Sequence, residues 1–378
     1  MKWEKVKLGE IVNNLDSRRK PLNDSERAEI TQLGLYPYIG ANNIMGYVDQ
    51  FLFDEEILCV AEDGGSWGAG QRCAVIYKGK TWVNNHAHVL SAKTMLDLRY
   101  LMHYLNYSDL TKFISGSTRG KLTKGSLEKI EIPLPPLHIQ QQIADTLDKA
   151  DLLRKKDQEL LQKYDQLAQA IFYDMFGDPV KNEKGWEEKQ LDELIYPDDK
   201  ISYGIVQPGD EDPQGVPVVR VGDFDNMVIK SHQVKRVSKS TEALYKKTRL
   251  IGDEILIACV GSIGKIALVD STQAGFNIVR ATARVRPNHT LVNRFFLASL
   301  LTTSRIQEYF IKETRTVSQP TLNISHIAST KIILPPIRLQ ETFSSVYNNL
   351  QIQKHFLVTQ TNRGLFDVIL NDCFKSAL

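Results

Sequence analysis

Hydrophobic and polar positions follow two different patterns along the chain, and the two patterns alternate. Runs of four to six apolar residues, rich in Val and Ile and separated by glycine-rich stretches, predict short strands at 57–61, 73–77, 255–260 and 266–269. Helical patterns follow at 97–113 and 292–310. Each half of the chain therefore predicts a globular stretch of mixed helix and strand.

A period of three and four residues begins after each Pro-Pro pair. Residues 137–176 contain neither Gly nor Pro. Their apolar stripe consists of Ile143, Leu147, Ala150, Leu153, Leu160, Tyr164, Leu167, Ile171 and Met175. This stripe predicts a helix about 60 Å long that needs an apolar partner. A comparable stripe in 337–374 consists of Leu339, Phe343, Val346, Leu350, Leu357, Leu365 and Ile369. We therefore predict two paired coiled-coil helices.

The chain is also an internal repeat. Residues 3–12 (WEKVKLGEIV) return as residues 186–195 (WEEKQLDELI), and a Pro-Pro pair precedes each helical stripe. The predicted fold class is α+β, with two globular mixed α/β domains joined by two long coiled-coil helices in a pseudo-twofold arrangement. The predicted domains are 1–135 and 181–335, and the helical regions that follow them are 136–180 and 336–378.

Charge and cysteine content narrow the class of protein. The net charge is only +2, but residues 201–335 carry six more basic than acidic side chains, while residues 136–200 carry six fewer. A local basic excess favours a polyanionic partner. The four cysteines are widely spaced, and no apolar run approaches the length of about 20 residues that a membrane helix needs. We expect a cytoplasmic location.

Motifs of nucleic-acid enzymes are missing from the sequence. Residues 116–122 (GSTRGKL) resemble a phosphate-binding loop, but the spacing is one residue short and Leu122 stands where Ser or Thr would hold magnesium. The Asn/His cluster at 84–88 lacks a supporting carboxylate or cysteine pattern for a metal. The acidic pair Glu62-Asp63 is interpreted as a solvated turn. We therefore predict a chain without catalytic activity and without a metal or cofactor of its own.

Three segments together resemble one known family. They are residues 171–187 (IFYDMFGDPVKNEKGWE), 121–143 (KLTKGSLEKIEIPLPPLHIQQQI) and 321–343 (TLNISHIASTKIILPPIRLQETF). They are similar to the junctions of specificity subunits of type I restriction-modification systems. In that family a Pro-Pro plus Gln pattern ends a target-recognition domain and begins a conserved helix, and Gln140 and Gln340 hold the Gln position here. The resemblance covers the whole chain and its order of parts.

The resemblance implies a DNA-binding specificity subunit that is not itself an enzyme. It implies two target-recognition domains, each reading one half of a split, asymmetric site on double-stranded DNA, joined by antiparallel helices. It further implies modification subunits, which carry S-adenosylmethionine and methylate adenine, and restriction subunits, which use ATP and magnesium to cleave unmethylated DNA. The cofactors would thus belong to the partners.

Loop position, polar chemistry and correspondence between the halves favour particular DNA contacts. Arg and Lys suit guanine edges and phosphates, whereas Asn and Gln suit adenine. In the first domain the predicted contacts are Asn42, Asn43, Arg72, Asn84, Asn85, His86, Ser117, Arg119 and Lys121. In the second they are Arg220, Asp223, Lys265, Asn277, Arg280, Arg315, Ser318 and Gln319. Trp67, between glycines, is interpreted as a turn aromatic that covers its own sheet.

Two other classes of function stay open from the sequence. One is a protein–protein adaptor that uses its helices and never reads DNA, which leaves the basic excess of residues 201–335 unexplained. The other is a self-sufficient nucleic-acid enzyme with an unrecognised motif, which predicts metal-dependent cleavage by the chain alone. The target sequence and the spacer length do not follow from the sequence.

Overall fold

Short strands and a few helices precede a long helix in each half of the chain. A computed structural model describes residues 3–41, 43–116, 118–314 and 320–361, together with residue 374. The elements of the first half are β1 (Lys5–Lys7), α1 (Leu8–Ile11), β2 (Val12–Asn14), α2 (Asp24–Glu29), β3 (Tyr36–Ile39), β4 (Ile44–Val48), β5 (Phe53–Asp54), β6 (Ile57–Ala61), β7 (Ala74–Tyr77), β8 (Lys80–Val83), β9 (Ala87–Ala92), α3 (Leu98–Tyr107), β10 (Ile114–Ser115), β11 (Lys121–Leu122), α4 (Lys124–Glu128), β12 (Glu131–Pro133) and α5 (Leu137–Phe176).

Two four-stranded sheets form the body of the first half. Their strand orders are β2-β9-β6-β7 and β4-β3-β8-β5. Strand β6 is central in its sheet, and all five of its residues are buried, as its uninterrupted apolar run predicts. Strands β3 and β8 run parallel, whereas β1 and β12 form an antiparallel pair just before α5 begins. Trp67 is buried, and its indole N–H donates to the Ala61 carbonyl, which agrees with the interpretation of a turn aromatic.

The second half repeats this order of parts. Its elements are β13 (Glu187–Gln190), β14 (Ser202–Tyr203), β15 (Val216–Val219), β16 (Phe224–Asp225), β17 (Val228–Ile229), β18 (Lys235–Val237), α6 (Lys239–Ala243), β19 (Ile255–Ala258), β20 (Ile266–Leu268), β21 (Asn277–Ile278), β22 (Thr282–Val285), α7 (Arg294–Leu301), α8 (Ser304–Lys312), α9 (Ile324–Ala328), β23 (Lys331–Leu334) and α10 (Ile337–Thr361).

Most strands of the two halves correspond, although the edge strand β5 has no counterpart in the described sheet β18-β15-β21. The order β14-β22-β19-β20 matches β2-β9-β6-β7, the parallel pair β15 and β21 matches β3 and β8, and the antiparallel pair β13 and β23 precedes α10 as β1 and β12 precede α5. These matches confirm the predicted mixed fold with an internal repeat. The hairpin of β16 and β17 has no matching pair in the described part of the first half.

The residues divide into two compact units, and each long helix contributes to both. The first unit comprises residues 1–158 and 359–378, and the second comprises residues 159–358. The predicted boundaries at 135/136 and 335/336 fall where β12 and β23 end and the long helices begin. As limits of recognition domains, those boundaries stay a prediction.

The long helix α5 has the predicted bounds, but part of its predicted apolar stripe is wrong. Leu153, Leu160 and Leu167 are 58%, 41% and 46% exposed. The partly buried positions beside them are Leu161 and Ala168. Apolar character alone does not show which of two adjacent apolar positions faces the protein, and leucines at strict seven-residue steps drift around a straight helix by about 20° per heptad.

Within the second unit, α5 and α10 run antiparallel. The rings of Phe172 and Phe343 lie 5.6 Å apart, and the Lys354 ammonium forms an ion pair with Asp165. Residue numbers therefore fall along α5 as they rise along α10, which confirms the predicted antiparallel pairing. The predicted positions Leu365 and Ile369 lie outside the described residues. No helix in the described part of the chain has the apolar length needed to cross a bilayer.

An aromatic cluster surrounds one buried phenylalanine in each unit. In the second unit Phe176, the last residue of α5, is fully buried 4.7 Å from the ring of Phe296 on α7. In the first unit Phe374 is fully buried among tyrosines of α3, with its ring 5.4 Å from those of Tyr104 and Tyr107. The two phenylalanines thus occupy comparable positions, and each ends an Ile-x-x-Asp-x-Phe pattern, at residues 171–176 and 369–374.

Candidate nucleic-acid interface

Four loops of the first unit meet at one end of its sheets. The loop after β6 binds the loop after β8, because the Glu62 N–H donates to the His86 carbonyl at 2.9 Å. The Leu122 N–H donates to the Glu62 carbonyl at 2.7 Å, which joins the hairpin of β10 and β11 to the same place. The Asn84 N–H donates to the Ile39 carbonyl and adds the loop after β3. We call residues 40–41, 43, 62–65, 84–86, 115–116 and 118–121 the first loop cluster.

A largely buried guanidinium holds these loops together. Arg19 Nη1 lies 2.6 Å from a Glu62 carboxylate oxygen and 2.6 Å from the Ala87 carbonyl, and it also contacts the Asn85 carbonyl. Its Nη2 pairs with Asp16 at 3.4 Å. The Arg19 side chain is only 13% exposed. The loops after β6 and β8 are therefore fixed to each other through one cation.

His88 extends this arrangement. Its Nδ1 lies 2.6 Å from an Asp16 carboxylate oxygen, and its Nε2 lies 2.8 Å from the Leu122 carbonyl. The imidazole therefore connects the Asp16 carboxylate to the Leu122 carbonyl. Lys121 pairs with Glu62 at 3.0 Å. We call Asp16, Arg19, Glu62, His88 and Lys121 together the Arg19 cluster.

The carboxylates of the Arg19 cluster are stabilised as anions. Burial opposes ionisation of Asp16, but hydrogen bonds from His88 and from the Val89 N–H outweigh it and hold the pKa of Asp16 below its ordinary value. Burial also opposes ionisation of Glu62, yet the cations Arg19 and Lys121 lower its pKa. The interpretation of Glu62 as part of a solvated turn is therefore wrong.

The Arg19 cluster also contains potential metal ligands. One ligand atom from each of Asp16, Glu62 and His88 lies within 4.8 Å of the others. Two cations, Arg19 and Lys121, already pair with these carboxylates. A metal ion would have to displace them against charge repulsion. We therefore interpret the group as a structural ion-pair network.

Several predicted contact residues of the first domain lie together in the first loop cluster. Asn43 and Asn85 are exposed. Arg119, whose side chain is 63% exposed, pairs with Asp63 at 3.0 Å, and the Nδ1 of His86 lies 2.7 Å from the same carboxylate oxygen. Lys121 is half exposed beside Glu62. The cluster thus presents amides and cations to solvent, with carboxylates behind them.

Two other predictions for the first domain differ from these: Asn84 lies within the cluster but is buried, and Arg72 lies outside it. Asn84 is 3% exposed, and its side chain accepts from the His86 N–H and donates to the sulfur of Met45, so it shapes the loop and presents no free edge. Arg72 lines a cavity of about 500 Å³ between α3, β7 and α5, together with Lys155. The predicted residues Asn42 and Ser117 lie outside the described residues.

The second unit builds an equivalent group of loops. The Cys259 N–H donates to the Ala281 carbonyl at 2.7 Å, the Leu322 N–H donates to the Cys259 carbonyl at 2.9 Å, and the Val279 N–H donates to the Val219 carbonyl at 3.2 Å. These bonds join the loops after β15, β19 and β21 to the segment before α9, as in the first unit. We call residues 220–223, 259–265, 279–281 and 320–321 the second loop cluster.

The predicted residues of the second domain separate into exposed and buried groups. Arg280 and Lys265 are exposed in the second loop cluster, although the Lys265 ammonium donates to the Phe224 carbonyl at 2.5 Å. Arg220 is partly exposed and pairs with Asp223, which is itself only 5% exposed. The predicted residues Arg315, Ser318 and Gln319 lie outside the described residues.

Asn277 and Asp223 are corrected from contact residues to structural ones. Asn277 is fully buried; its side chain accepts from the Thr248 hydroxyl and donates to the Glu242 carboxylate and the Tyr245 carbonyl. Asp223 accepts from the Arg220 N–H and guanidinium. A buried polar side chain with its hydrogen bonds made has nothing left to offer a base edge.

Sequence reasoning missed the Arg19 cluster. Arg19 and Asp16 lie in an ordinary polar stretch before the first long strand pattern, and nothing in their spacing marks them. In the sequence His88 stands out only as part of a weak metal pattern. The available signal was its place two residues after His86 within an apolar strand, where an ionisable side chain needs a buried partner.

Comparison with known proteins identifies the class to which this fold and these loop clusters belong. A family model of the type I restriction modification DNA specificity domain matches residues 1–163 and again residues 183–355. The chain therefore belongs to this family, with one family domain in each half, and it is a DNA specificity subunit of the type I restriction-modification class.

Individual relatives agree with this assignment. A Haemophilus influenzae protein, provisionally named a type I restriction enzyme specificity subunit, is 27% identical over 354 residues, which cover 91% of this chain and 86% of that protein. The EcoBI specificity subunit of Escherichia coli is 26% identical over 274 residues, covering 66% of this chain and 58% of that protein.

Solved structures share the fold. The S subunit of a type I restriction-modification system from M. genitalium matches with a TM-score of 0.59 at 16% identity, covering 99% of this chain and 96% of that one. A structure from a study of complex assembly and conformational transition of a type I restriction-modification system matches with a TM-score of 0.54 at 15% identity, covering 100% and 98% of the two chains.

Proposed function

We propose that each unit reads one half of a split, asymmetric DNA site through its own loop cluster. The observation that carries this proposal is the repetition of one loop arrangement in both units with different exposed side chains. Asn43, Asn85 and Arg119 are exposed in the first loop cluster, whereas Lys265 and Arg280 are exposed in the second. The same scaffold with different polar groups suits two different half-sites.

The proposed contacts are the predicted residues that reach solvent in these clusters. In the first unit they are Asn43, Asn85, His86, Arg119 and Lys121, and in the second they are Arg220, Lys265 and Arg280. Asn42, Ser117, Arg315, Ser318 and Gln319 remain in the proposal by their sequence positions alone. Arg72 remains as a phosphate contact outside the first loop cluster.

Neutralising two exposed cations tests the DNA interface. In the double variant Arg119→Gln/Lys121→Gln, we expect weaker DNA binding and a salt dependence whose logarithmic slope falls by about one for each phosphate that the protein no longer neutralises. Arg19 still pairs with Glu62 in this variant, so the ion pair that joins the loops after β6 and β8 is retained. The measurement is affinity for specific DNA across a salt series. Lys129→Gln, an exposed lysine just after α4, is the matched control. An unchanged slope in the double variant would remove these residues from the interface.

We further propose that the chain itself has no catalytic role and that partners supply the chemistry. Modification subunits would carry S-adenosylmethionine and methylate adenine, and restriction subunits would bring ATP and magnesium. Support comes from the family membership and from a structural relative studied for complex assembly. Cys59, Cys73 and Cys259 are buried free thiols, which suits the cytoplasmic location that we propose with access to cellular DNA.

Reconstitution separates this proposal from the alternatives. We expect the purified chain to show neither methyl transfer nor DNA cleavage, and to direct sequence-specific adenine methylation once its modification subunit and S-adenosylmethionine are added. The measurement is mapping of methylated adenines on a mixed DNA substrate. Methyl transfer or cleavage by the chain alone would support the self-sufficient enzyme. Partner binding without any effect on DNA sequence choice would support the adaptor.

A further inference from the structure

A buried glutamine joins α5 to the first unit. Gln140 is fully buried one turn into the helix. Its side-chain oxygen accepts from the Asp97 N–H at 3.0 Å, and its amide nitrogen donates to the Pro135 carbonyl at 2.8 Å and to the Met95 carbonyl at 2.9 Å. Asp97 is the N-cap of α3, and its side chain accepts from the N–H groups of Arg99 and Tyr100. Gln140 therefore binds the start of a core helix and the segment leading into the long helix.

The second unit contains the same arrangement. Gln340 is fully buried, its side-chain oxygen accepts from the Asn293 N–H at 2.9 Å, and its amide donates to the Pro335 carbonyl at 2.7 Å. Asn293 is the N-cap of α7, and its side chain accepts from the N–H groups of Phe295 and Phe296. Two positions 200 residues apart thus make the same pair of hydrogen bonds to equivalent partners.

Glutamine suits this position for a chemical reason. The side chain of an N-cap residue accepts hydrogen bonds from the first N–H groups of its helix, but the N–H of the N-cap residue itself has no acceptor in that helix. The Pro carbonyl, in turn, needs a donor. A side chain that both accepts and donates satisfies the two groups at once. A carboxylate lacks the donor, and an apolar side chain of the same length leaves both backbone groups buried without a partner. The position therefore requires the hydrogen-bonding groups of an amide side chain, and a side chain of the same size without them is not sufficient.

We propose that Gln140 and Gln340 are positioning residues for DNA recognition. Each fixes the direction in which its long helix leaves its own unit, because it ties the first turn of that helix to the N-terminus of a core helix. The helices join the two units, so this direction determines the half-site spacing that the chain accepts. The inference rests on the proposed reading of a split site.

The test measures spacing tolerance and half-site affinity separately. Full-length Gln140→Met and Gln340→Met, each in complex with the modification subunit, are titrated with duplexes that carry one half-site or both. The spacer is varied from two base pairs shorter to two longer than the native one. Methionine keeps the length of the side chain and removes its hydrogen bonds to the backbone. We expect half-site affinity within about twofold of the wild type, and at least about a tenfold smaller preference for the native spacer.

Controls keep the outcomes distinct. Gln141→Met changes the adjacent exposed residue of α5 and should leave spacing preference unchanged. The two variants lie in different units, so each is an independent test if the other folds poorly, as judged by circular dichroism. A native spacer preference in the folded variants would overturn the positioning role, and so would a parallel loss of half-site and split-site binding. If the wild type itself does not prefer split sites, the proposed function fails instead.

Discussion

Exchange of residues 186–335 for the matching segment of a related specificity subunit will replace one half of the recognised site and leave the other half and the spacer unchanged. The segment begins just before β13 and ends just after β23, and these two strands pair from Glu187 with Leu334 to Gln190 with Lys331. The ends of the exchanged piece are therefore neighbours, and the second loop cluster lies wholly between them. The exchanged segment can therefore replace the original one without any change to the connections at its two ends.

One aromatic packing arrangement sets a condition on that exchange. Phe172 and Phe176 of α5 stay with the recipient and pack on Phe296 of α7, which comes from the donor. The donor segment should therefore carry an aromatic residue at that position. Mapping of methylated adenines made with the modification subunit gives the result. A change in both halves of the site would show that the two loop clusters do not read DNA independently. The reciprocal exchange of residues 3–133, closed by β1 and β12, is the control.

Insertion of one heptad into each long helix is expected to lengthen the spacer of the recognised site by about three base pairs. Seven residues add about 10 Å of helix, and DNA rises about 3.4 Å per base pair along each strand. The antiparallel contacts of Phe172 with Phe343 and of Asp165 with Lys354 fix the register. Continuing that register within the second unit brings Glu159 level with about Leu357, so insertions just before Glu159 and just after Leu357 lie opposite each other.

The length of the insertion tests whether the long helices determine the spacer length or only connect the two domains. A heptad preserves the buried face of each helix, whereas a three-residue insertion rotates that face by roughly 60° away from its partner. We expect the heptad variant to methylate sites with the longer spacer and the three-residue variant to lose activity. Retention of the native spacer by an active heptad variant would mean that the modification subunits determine the distance between half-sites.

The long elements and the internal repeat were predictable from the sequence because many residues contribute to the same pattern. The bounds of α5 and the buried strands β6 and β19 follow from uninterrupted patterns, and Pro-Pro marks where each long helix begins. The side of a helix that is buried was less predictable. Leu160 and Leu161 are adjacent and equally apolar, but only Leu161 is partly buried, and packing from the tertiary fold makes that choice.

The site was predictable as a set of loops more than as a set of residues. Asn84 and Asn277 have the chemistry of base-reading residues, but backbone groups and neighbouring side chains use their hydrogen bonds inside the fold. Arg19 does the opposite, since it resembles a surface cation in the sequence and organises the first loop cluster from within. Pairing across 43 residues, as between Arg19 and Glu62, leaves no local pattern to detect.

The burial of Phe374 bears on how the chain acquires its structure during synthesis. The ring lies among Tyr100, Tyr104 and Tyr107 in the core of the unit that contains the start of the chain. Roughly 270 residues separate Tyr104 from Phe374, which at about 5–20 residues per second corresponds to tens of seconds of translation. The first unit therefore keeps an open apolar face on the ribosome, while the unit formed by residues 159–358 receives all of its residues earlier. Completion of the second unit is expected to precede closure of the first.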